Sequence, residues 1–352
     1  MKKFLRYLVV IFLMGAVIFP INNLIAGNED RSGEAGASEL LINPWARSSG
    51  WGGVNTAGVR GVEAMFLNIA GTAFTPKTEL AFSHTNWLKG ADINIYSFGL
   101  TQKIGESGVL GLGVMSMSFG DIPITTVELP EGGIGTFSPS LMNIALSYSR
   151  VFSNSIYGGM QIKIISENIS DMTATGFAID AGIQYVTGET ENVKFGITLK
   201  NWGPTMKFAG DGLSIRTLLP GQESQFTLEQ RASSYQLPSQ LSIGFTYDLN
   251  FTGDYRLSFS GNFMSNAFTK DQMTAGIEFS LKSYLMLRGA YTYEEGITDN
   301  SKRSTVFTGP SAGITVQVPL NKEQGTNFSV DYSFTATDPF SGVHRIGAKF
   351  NF

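Results

Sequence analysis

The 352-residue sequence predicts an all-β fold, a transmembrane antiparallel β-barrel of about fourteen strands with an amino-terminal plug segment. Three observations carry this. The chain opens like an exported protein. Its later part is a ladder of segments, each about ten residues long with one apolar and one polar face. The connections between those segments also fall by length into two sets.

Lys2, Lys3 and Arg6 precede an apolar stretch from Tyr7 to Phe19, followed by Pro20 and the small residue Ala26. A charged start, a short apolar centre and a small-residue end are the requirements of a secretory signal peptide. The stretch is shorter than the roughly 20 residues a spanning helix needs, so a retained anchor is the weaker reading. Ala26 and Gly27 are both candidates for the cleavage point, and Ala26 is preferred, which makes residues 1–26 the leader. Its removal takes three of 25 basic residues and none of 29 acidic ones, leaving 22 against 29 and a net charge of −7. That balance argues against nucleic acid as a partner. Cysteine is absent, which excludes disulfides, thiol nucleophiles, thiolate metal sites and a lipid-modified amino terminus. With 41 Gly, 26 Phe, 12 Tyr and 15% charged residues, the composition suits alternating strands better than disorder or a helical bundle.

Residues 27–78 are rich in Gly, Ala and Asn, with apolar residues too irregular for a long strand. The segment can plug a lumen; a periplasmic tail with one helical turn is the alternative. Residues 79–352 form the barrel. Strands are expected at 79–87, 91–104, 109–119, 140–152, 156–167, 174–187, 192–202, 239–250, 254–265, 271–281, 284–293, 311–319, 327–337 and 343–352. The clearest is 327–337, where Phe328, Val330, Tyr332, Phe334 and Ala336 alternate with Ser329, Asp331, Ser333 and Thr335. Successive side chains of a strand point to opposite faces, so this is a dry face and a wet one. The last strand sets Ile346, Ala348, Phe350 and Phe352 on one face, and Phe350 with the terminal Phe352 is the expected carboxyl-terminal barrel signal.

Counted back from a periplasmic carboxyl terminus, connections 320–326, 282–283, 251–253, 188–191, 153–155 and 105–108 share one side, and all are short. Connections 294–310, 203–238 and 120–139 share the other side and are the longest. Bacterial barrels have this asymmetry, with short periplasmic turns and long external loops. Residues 79–104 alternate poorly, so twelve strands with a longer plug also satisfy the pattern.

The stretch from Asn43 through Pro44, Trp45, Ala46, Arg47, Ser48, Ser49 and Gly50 to Trp51, Gly52 and Gly53, with the later run Glu63 to Gly71, resembles the amino-terminal region of the PorV/PorQ family. That family has an Ala-Arg before a Gly-rich turn and then Asn-Pro-Ala-Gly; here Asn68 and Gly71 are present and Ile69 replaces the proline. Weaker matches run through Gly111, Gly113, Asn201 to Gly203, Leu237-Pro238 and the final strand. The resemblance implies a fourteen-stranded barrel like that of the long-chain fatty acid transporter FadL. It also implies the outer membrane of a Gram-negative, Bacteroidetes-type bacterium and a place in type IX secretion. Its partners would then be the translocon and the folded carboxyl-terminal domains of cargo, besides outer-membrane lipid. Arg47, Gly50, Gly52, Gly53, Asn68 and Gly71 are the residues of the motif, assigned to the plug.

Catalytic chemistry finds little support. His84 and His344 are the two histidines, each in an expected strand with no partner at motif spacing. Gly111-Leu112-Gly113 lies in a strand, and the Gly50–Gly53 run lacks the Lys-Ser/Thr of a phosphate loop. No enzyme activity and no cofactor are expected. Lys163, Asp180, Lys194, Lys200, Asp248, Arg256, Glu278, Arg288, Asp331, Arg345 and Lys349 fall on the luminal face with both signs mixed. They form either a charge-paired interior that holds the plug or a selective conduit. The external loops are unusually apolar, with Ile122, Pro123, Ile124, Leu129 and Phe137 in one and Leu218, Leu219 and Phe226 in another. Such loops either pack over the mouth or present a docking surface for protein. The leading expectation is a non-enzymatic barrel that binds secretion-system partners at these loops. Its rival is a FadL-like transporter of hydrophobic small molecules.

Overall fold

A computed structural model describes residues 31–221, 224–251, 254–282, 284–321 and 325–352, so the expected signal peptide lies outside the described residues. Fourteen strands form one closed antiparallel barrel. In chain order they are β1 (Thr78–Trp87), β2 (Ile93–Ile104), β3 (Gly108–Ser118), β4 (Ser140–Val151), β5 (Ile156–Ile169), β6 (Met172–Thr187) and β7 (Val193–Trp202). The second half comprises β8 (Gln240–Phe251), β9 (Tyr255–Asn266), β10 (Gln272–Leu281), β11 (Leu285–Glu294), β12 (Phe307–Asn321), β13 (Thr326–Thr337) and β14 (Val343–Asn351). Each pairs with its neighbours in sequence, and β1 pairs with β14, Leu80 lying opposite Phe350. Closure removes every edge strand, and in lipid it also satisfies the backbone groups that no water reaches. No helix among the described residues is long and apolar enough to cross a membrane. The strands are 9 to 16 residues long, which meets the roughly 9–11 residues that a tilted membrane strand requires.

Side-chain alternation sets the two faces. On β13, Ser329, Asp331 and Ser333 are buried in the lumen, while Val330 and Tyr332 are exposed on the outer wall. The twelve-strand alternative fails because β1 and β2 are paired along their full length, from Thr78 opposite Gln102 to Trp87 opposite Ile93. Their alternation is weak in sequence for a physical reason. Ile95 points inward and is fully buried, packed with Ile42 of the segment that precedes the barrel, while His84 points outward. The expected strand at 311–319 is longer, because β12 begins at Phe307 and passes an irregularity before Ser311. Gly309 there has φ of 109°, a conformation an L side chain resists.

The connections after β2, β4, β6, β8, β10 and β12 lie at one end, which also holds the start of β1 and the end of β14; none exceeds five residues. This is the turn end. The opposite, loop end carries residues 119–139, 203–239 and 295–306.

The residues ahead of β1 run through the inside of the barrel. Arg31 stacks over the Phe268 ring at 4.4 Å, and Gly36 N donates to Gln236 O at 3.0 Å, which fixes this start at the loop end. Next come a 3-10 turn (Ser38–Leu41), α1 (Ala46–Gly50), a second 3-10 turn (Gly61–Glu63), α2 (Ala64–Leu67) and a third 3-10 turn (Ile69–Phe74), reaching β1 at the turn end. Helices this short do not form alone in water. The wall holds them. A Cβ on Gly50 would sit 2.7 Å from Gly313 Cα of β12, so two glycines permit backbone to rest on backbone. Trp45, Trp51, Val54, Val62 and Ile69 are buried between segment and wall, and aliphatic side chains so placed contribute about 1.5–3 kcal/mol each.

Candidate functional sites: the filled lumen and the loop end

The luminal charges expected from sequence meet as pairs, several with the inner segment as one member. Arg47 Nε lies 3.0 Å from Asp331 Oδ1 and 3.7 Å from Glu63 Oε1, while Glu63 Oε2 accepts from Ser48 N at 2.9 Å. Lys349 Nζ is 3.6 Å from Glu79, whose Oε1 accepts from Val62 N at 2.8 Å. Around the wall, Glu278 pairs with both Arg288 and Arg256 at 2.6 and 2.8 Å, Lys194 with Asp248 at 2.6 Å, and Lys163 with Asp180 at 2.8 Å. Lys200 lies over the Phe66 ring at 4.4 Å, and Arg345 Nε donates to Asn43 O at 3.1 Å. Buried charge costs several kcal/mol unless paired and hydrogen-bonded, and the pairs meet that need.

Polar wall residues also bind the segment's backbone. Gln161 donates to Met65 O at 3.1 Å, and Gln184 donates to Thr56 O and Val59 O at 3.2 and 3.1 Å. Asn68 Nδ2 reaches Thr56 O at 3.0 Å and Ile183 O at 3.1 Å, while its Oδ1 accepts from Ala70 N. Gly71 packs against Val59, and Gly52 and Gly53 both take positive φ in the turn after α1. Gly111 and Gly113 lie under the sulfur end of Met65. Asn201, at φ 60°, closes β7 and donates to Pro238 O at 3.0 Å, bringing the Asn201–Gly203 and Leu237-Pro238 stretches together.

The loop end is built differently. Residues 119–139 carry a small hairpin, Ile122–Pro123 against Thr136–Phe137, with Phe137 half-buried and Ile122, Pro123, Ile124 and Leu129 exposed. Val127 at the tip is 96% exposed. The loop between β7 and β8 has two parts. Its base is buried: Met206 and Leu237 pack with Ala37 and Leu40 of the inner segment and Ile165, Ala174 and Ala178 of the wall. Its tip is a hairpin, Ser214–Leu218 against Gln225–Glu229. Ile215 lies opposite Leu228 and Thr217 opposite Phe226, so these four share one face. Ile215, Phe226 and Leu228 are 42%, 39% and 38% exposed, Leu218 on the other face is 56% exposed, and Leu219 is half-buried.

Phe350 lies against Phe328 with centroids 4.5 Å apart, and Phe352 N donates to Thr78 O at the seam. His84 bonds Asn94 and His344 bonds Tyr332, both on the outer wall, so neither is oriented by a carboxylate as a catalytic relay requires. Sequence reasoning missed Glu39, Glu167 and Tyr235, which meet where loop base, wall and inner segment join. The one signal was an acid at position 39 inside an apolar run.

Residues 73–350 match the model of a family described as type IX secretion system membrane protein PorP/SprF. The match begins after the motif at 43–71 on which the PorV/PorQ resemblance rests, and it shows the PorP/SprF family without confirming PorV/PorQ specifically. No curated protein matches the chain. Among solved structures, the chain is similar to the CymD monoaromatic hydrocarbon channel (TM-score 0.51, 11% identity, 88% of this chain and 97% of that one). It is also similar to the Pseudomonas putida toluene transporter TodX (0.53, 11%, 84% and 95%) and to a Pseudomonas aeruginosa FadL homologue (0.50, 12%, 87% and 98%). At such identity the likeness shows the fold, a FadL-like barrel, and nothing of the ligand.

Proposed function

Because the chain belongs to the PorP/SprF family of type IX secretion system membrane proteins, we propose that it is a non-enzymatic outer-membrane barrel that docks secretion partners on its loop end. The partners are a translocon subunit, the carboxyl-terminal domain of a secreted protein, or both. In this reading the loop end faces outward, as the loop lengths of bacterial barrels indicate, and residues 27–78 act as the plug. The observation that carries it is the tip hairpin at 214–229, whose apolar face is exposed. An isolated two-stranded ribbon is marginally stable in water, and one with an apolar face gains by pairing with a further strand or sheet.

A FadL-like route for hydrophobic small molecules finds less support. The lumen is lined by paired charges and occupied by the inner segment, and an apolar solute entering it would displace hydrogen bonds it cannot replace.

The test is to purify the tagged barrel from native outer membranes in mild detergent and identify what accompanies it. A translocon subunit or secreted cargo is expected, and a barrel lacking residues 214–229 should lose it. Recovery of neither from the intact barrel overturns the proposal. Under the transport reading, a deletion strain would lose uptake of a hydrophobic compound while secretion continued.

A further inference from the structure

Where the inner segment meets the base of the β7–β8 loop, one arrangement has an acceptor too many. Glu39 is 2% exposed, and beyond its own backbone N–H neither of its carboxylate oxygens finds a hydrogen-bond donor. The group against it is the carboxyl of Glu167, near the end of β5 and itself 7% exposed. Glu167 accepts from the Tyr235 hydroxyl of the loop base. The cation on the facing wall is Lys163, already engaged by Asp180 and Asn201. Two buried carboxylates in contact require something positive between them. A proton on one Glu39 oxygen turns an acceptor into a donor toward Glu167 and removes the repulsion of two charges, as in other paired carboxyls. A metal ion suits the place less well, because hard cations take six or more oxygen ligands and no group of three acids or histidines that could hold one occurs among the described residues.

The same three elements are joined by backbone and by apolar packing. Gly36 N donates to Gln236 O and Gln236 N to Glu34 O, each at 3.0 Å, and Ala37 and Leu40 pack on Met206 and Leu237. Together with Arg31 and Ser32 on Phe268, this attaches the inner segment at the loop end; its other end is covalently continuous with β1.

We propose that a proton shared by Glu39 and Glu167 latches the inner segment to the base of the β7–β8 loop, and that losing it weakens this attachment alone. The latch makes the outer end of the segment the part that releases first, with the rest held by the luminal ion pairs. The proposal rests on this junction and stands apart from the identity of any docked partner.

Burial, and next the charge of Glu167, push the Glu39 carboxyl up from 4.5 to about 7. A group whose value is raised in the attached state supports that state fully below its ordinary value and loses the support as pH rises through the raised one. The latch is therefore strongest below pH 4.5 and weakens up to about pH 7. At tenfold per pH unit, the limiting change in the ratio of attached to released forms is about 300-fold.

Hydrogen–deuterium exchange on the full-length barrel in detergent, corrected for the intrinsic pH dependence of exchange, reads this directly. Protection at residues 36–40 should fall by about 150-fold between pH 4.5, where half of the limiting change is already lost, and pH 8, while β13 stays protected. Glu39→Gln, which is neutral and can donate to Glu167, should keep residues 36–40 protected at pH 8, with heat-modifiable gel migration confirming a folded barrel. Three results overturn the proposal: flat protection in the unaltered chain, the same fall in Glu39→Gln, or recovery at pH 8 on adding millimolar calcium. The first needs no variant, so a misfolded substitution does not shield the idea.

Discussion

The inner segment and the tip of the β7–β8 loop are both irregular chain outside the strand ladder, and they meet water in opposite ways. The segment from Ala37 to Thr75 is mostly buried, with polar groups bonded to the wall and charges paired across it. The tip at 214–229 is almost wholly exposed and keeps an apolar face without a cover. The difference teaches where each substitution will register. Changes inside should cost stability, and changes at the tip should cost association and leave the fold alone.

The largest expected effect is Arg47→Ala, which leaves Asp331 and Glu63 buried without their shared cation. Breaking a buried pair from one side costs about 3–5 kcal/mol, to be read as a lower urea midpoint of the barrel in detergent. A change below about 1 kcal/mol would mean that water reaches the pair and that the lumen is less filled than described.

Gly313→Val sharpens the same point by volume. The new Cβ alone would lie 2.8 Å from Gly50 Cα, and overpacking of this kind costs about 1–3 kcal/mol. If the segment merely hangs in the lumen it will shift aside and the unfolding midpoint will not move. Asn68→Ala removes the donor to Thr56 O and Ile183 O; Gln184 still donates to Thr56 O, so the loss is that of ordinary hydrogen bonds, about 0.5–1.5 kcal/mol each. Faster proteolysis of the segment, with the wall intact, is the expected readout.

At the smallest end for stability, the double change Ile215→Ser and Phe226→Ser should alter unfolding by no more than about 0.5 kcal/mol, as exposed sites do. The same protein should fail to retain partners on purification from native membranes. Retained partners would move the docking surface to the loop at 119–139, whose Val127 and Leu129 are also exposed.

Much of the wall was legible before folding was considered. The fourteen strands stand within a few residues of where alternation placed them, with the largest departures at the start of β12 and across the tight β5–β6 turn. Those shifts come from local backbone, Gly309 at φ 109° and Ser170 at φ 50°, and not from hydrophobic pattern. The inner segment was legible only in outline. Its glycines and asparagine mark close contact, but Gly50 meets Gly313, 263 positions away, through closure of the barrel. Loop apolarity was visible in Leu218 and Phe226, whereas the division into a buried base and an exposed tip was not. Met206 and Leu237 look no different in sequence from Ile215 and Leu228.

By itself, the sequence determined the architecture of the wall and which end carries the long loops. A strand repeats every two residues and its two faces meet different solvents, so each strand declares itself locally. Tertiary structure alone decided the path of residues 35–77 through the barrel, the pairing of Arg47 with Asp331, and the meeting of Glu39, Glu167 and Tyr235. Those contacts join residues far apart in the chain, and their geometry exists only once strand number, register and closure have set the width of the lumen.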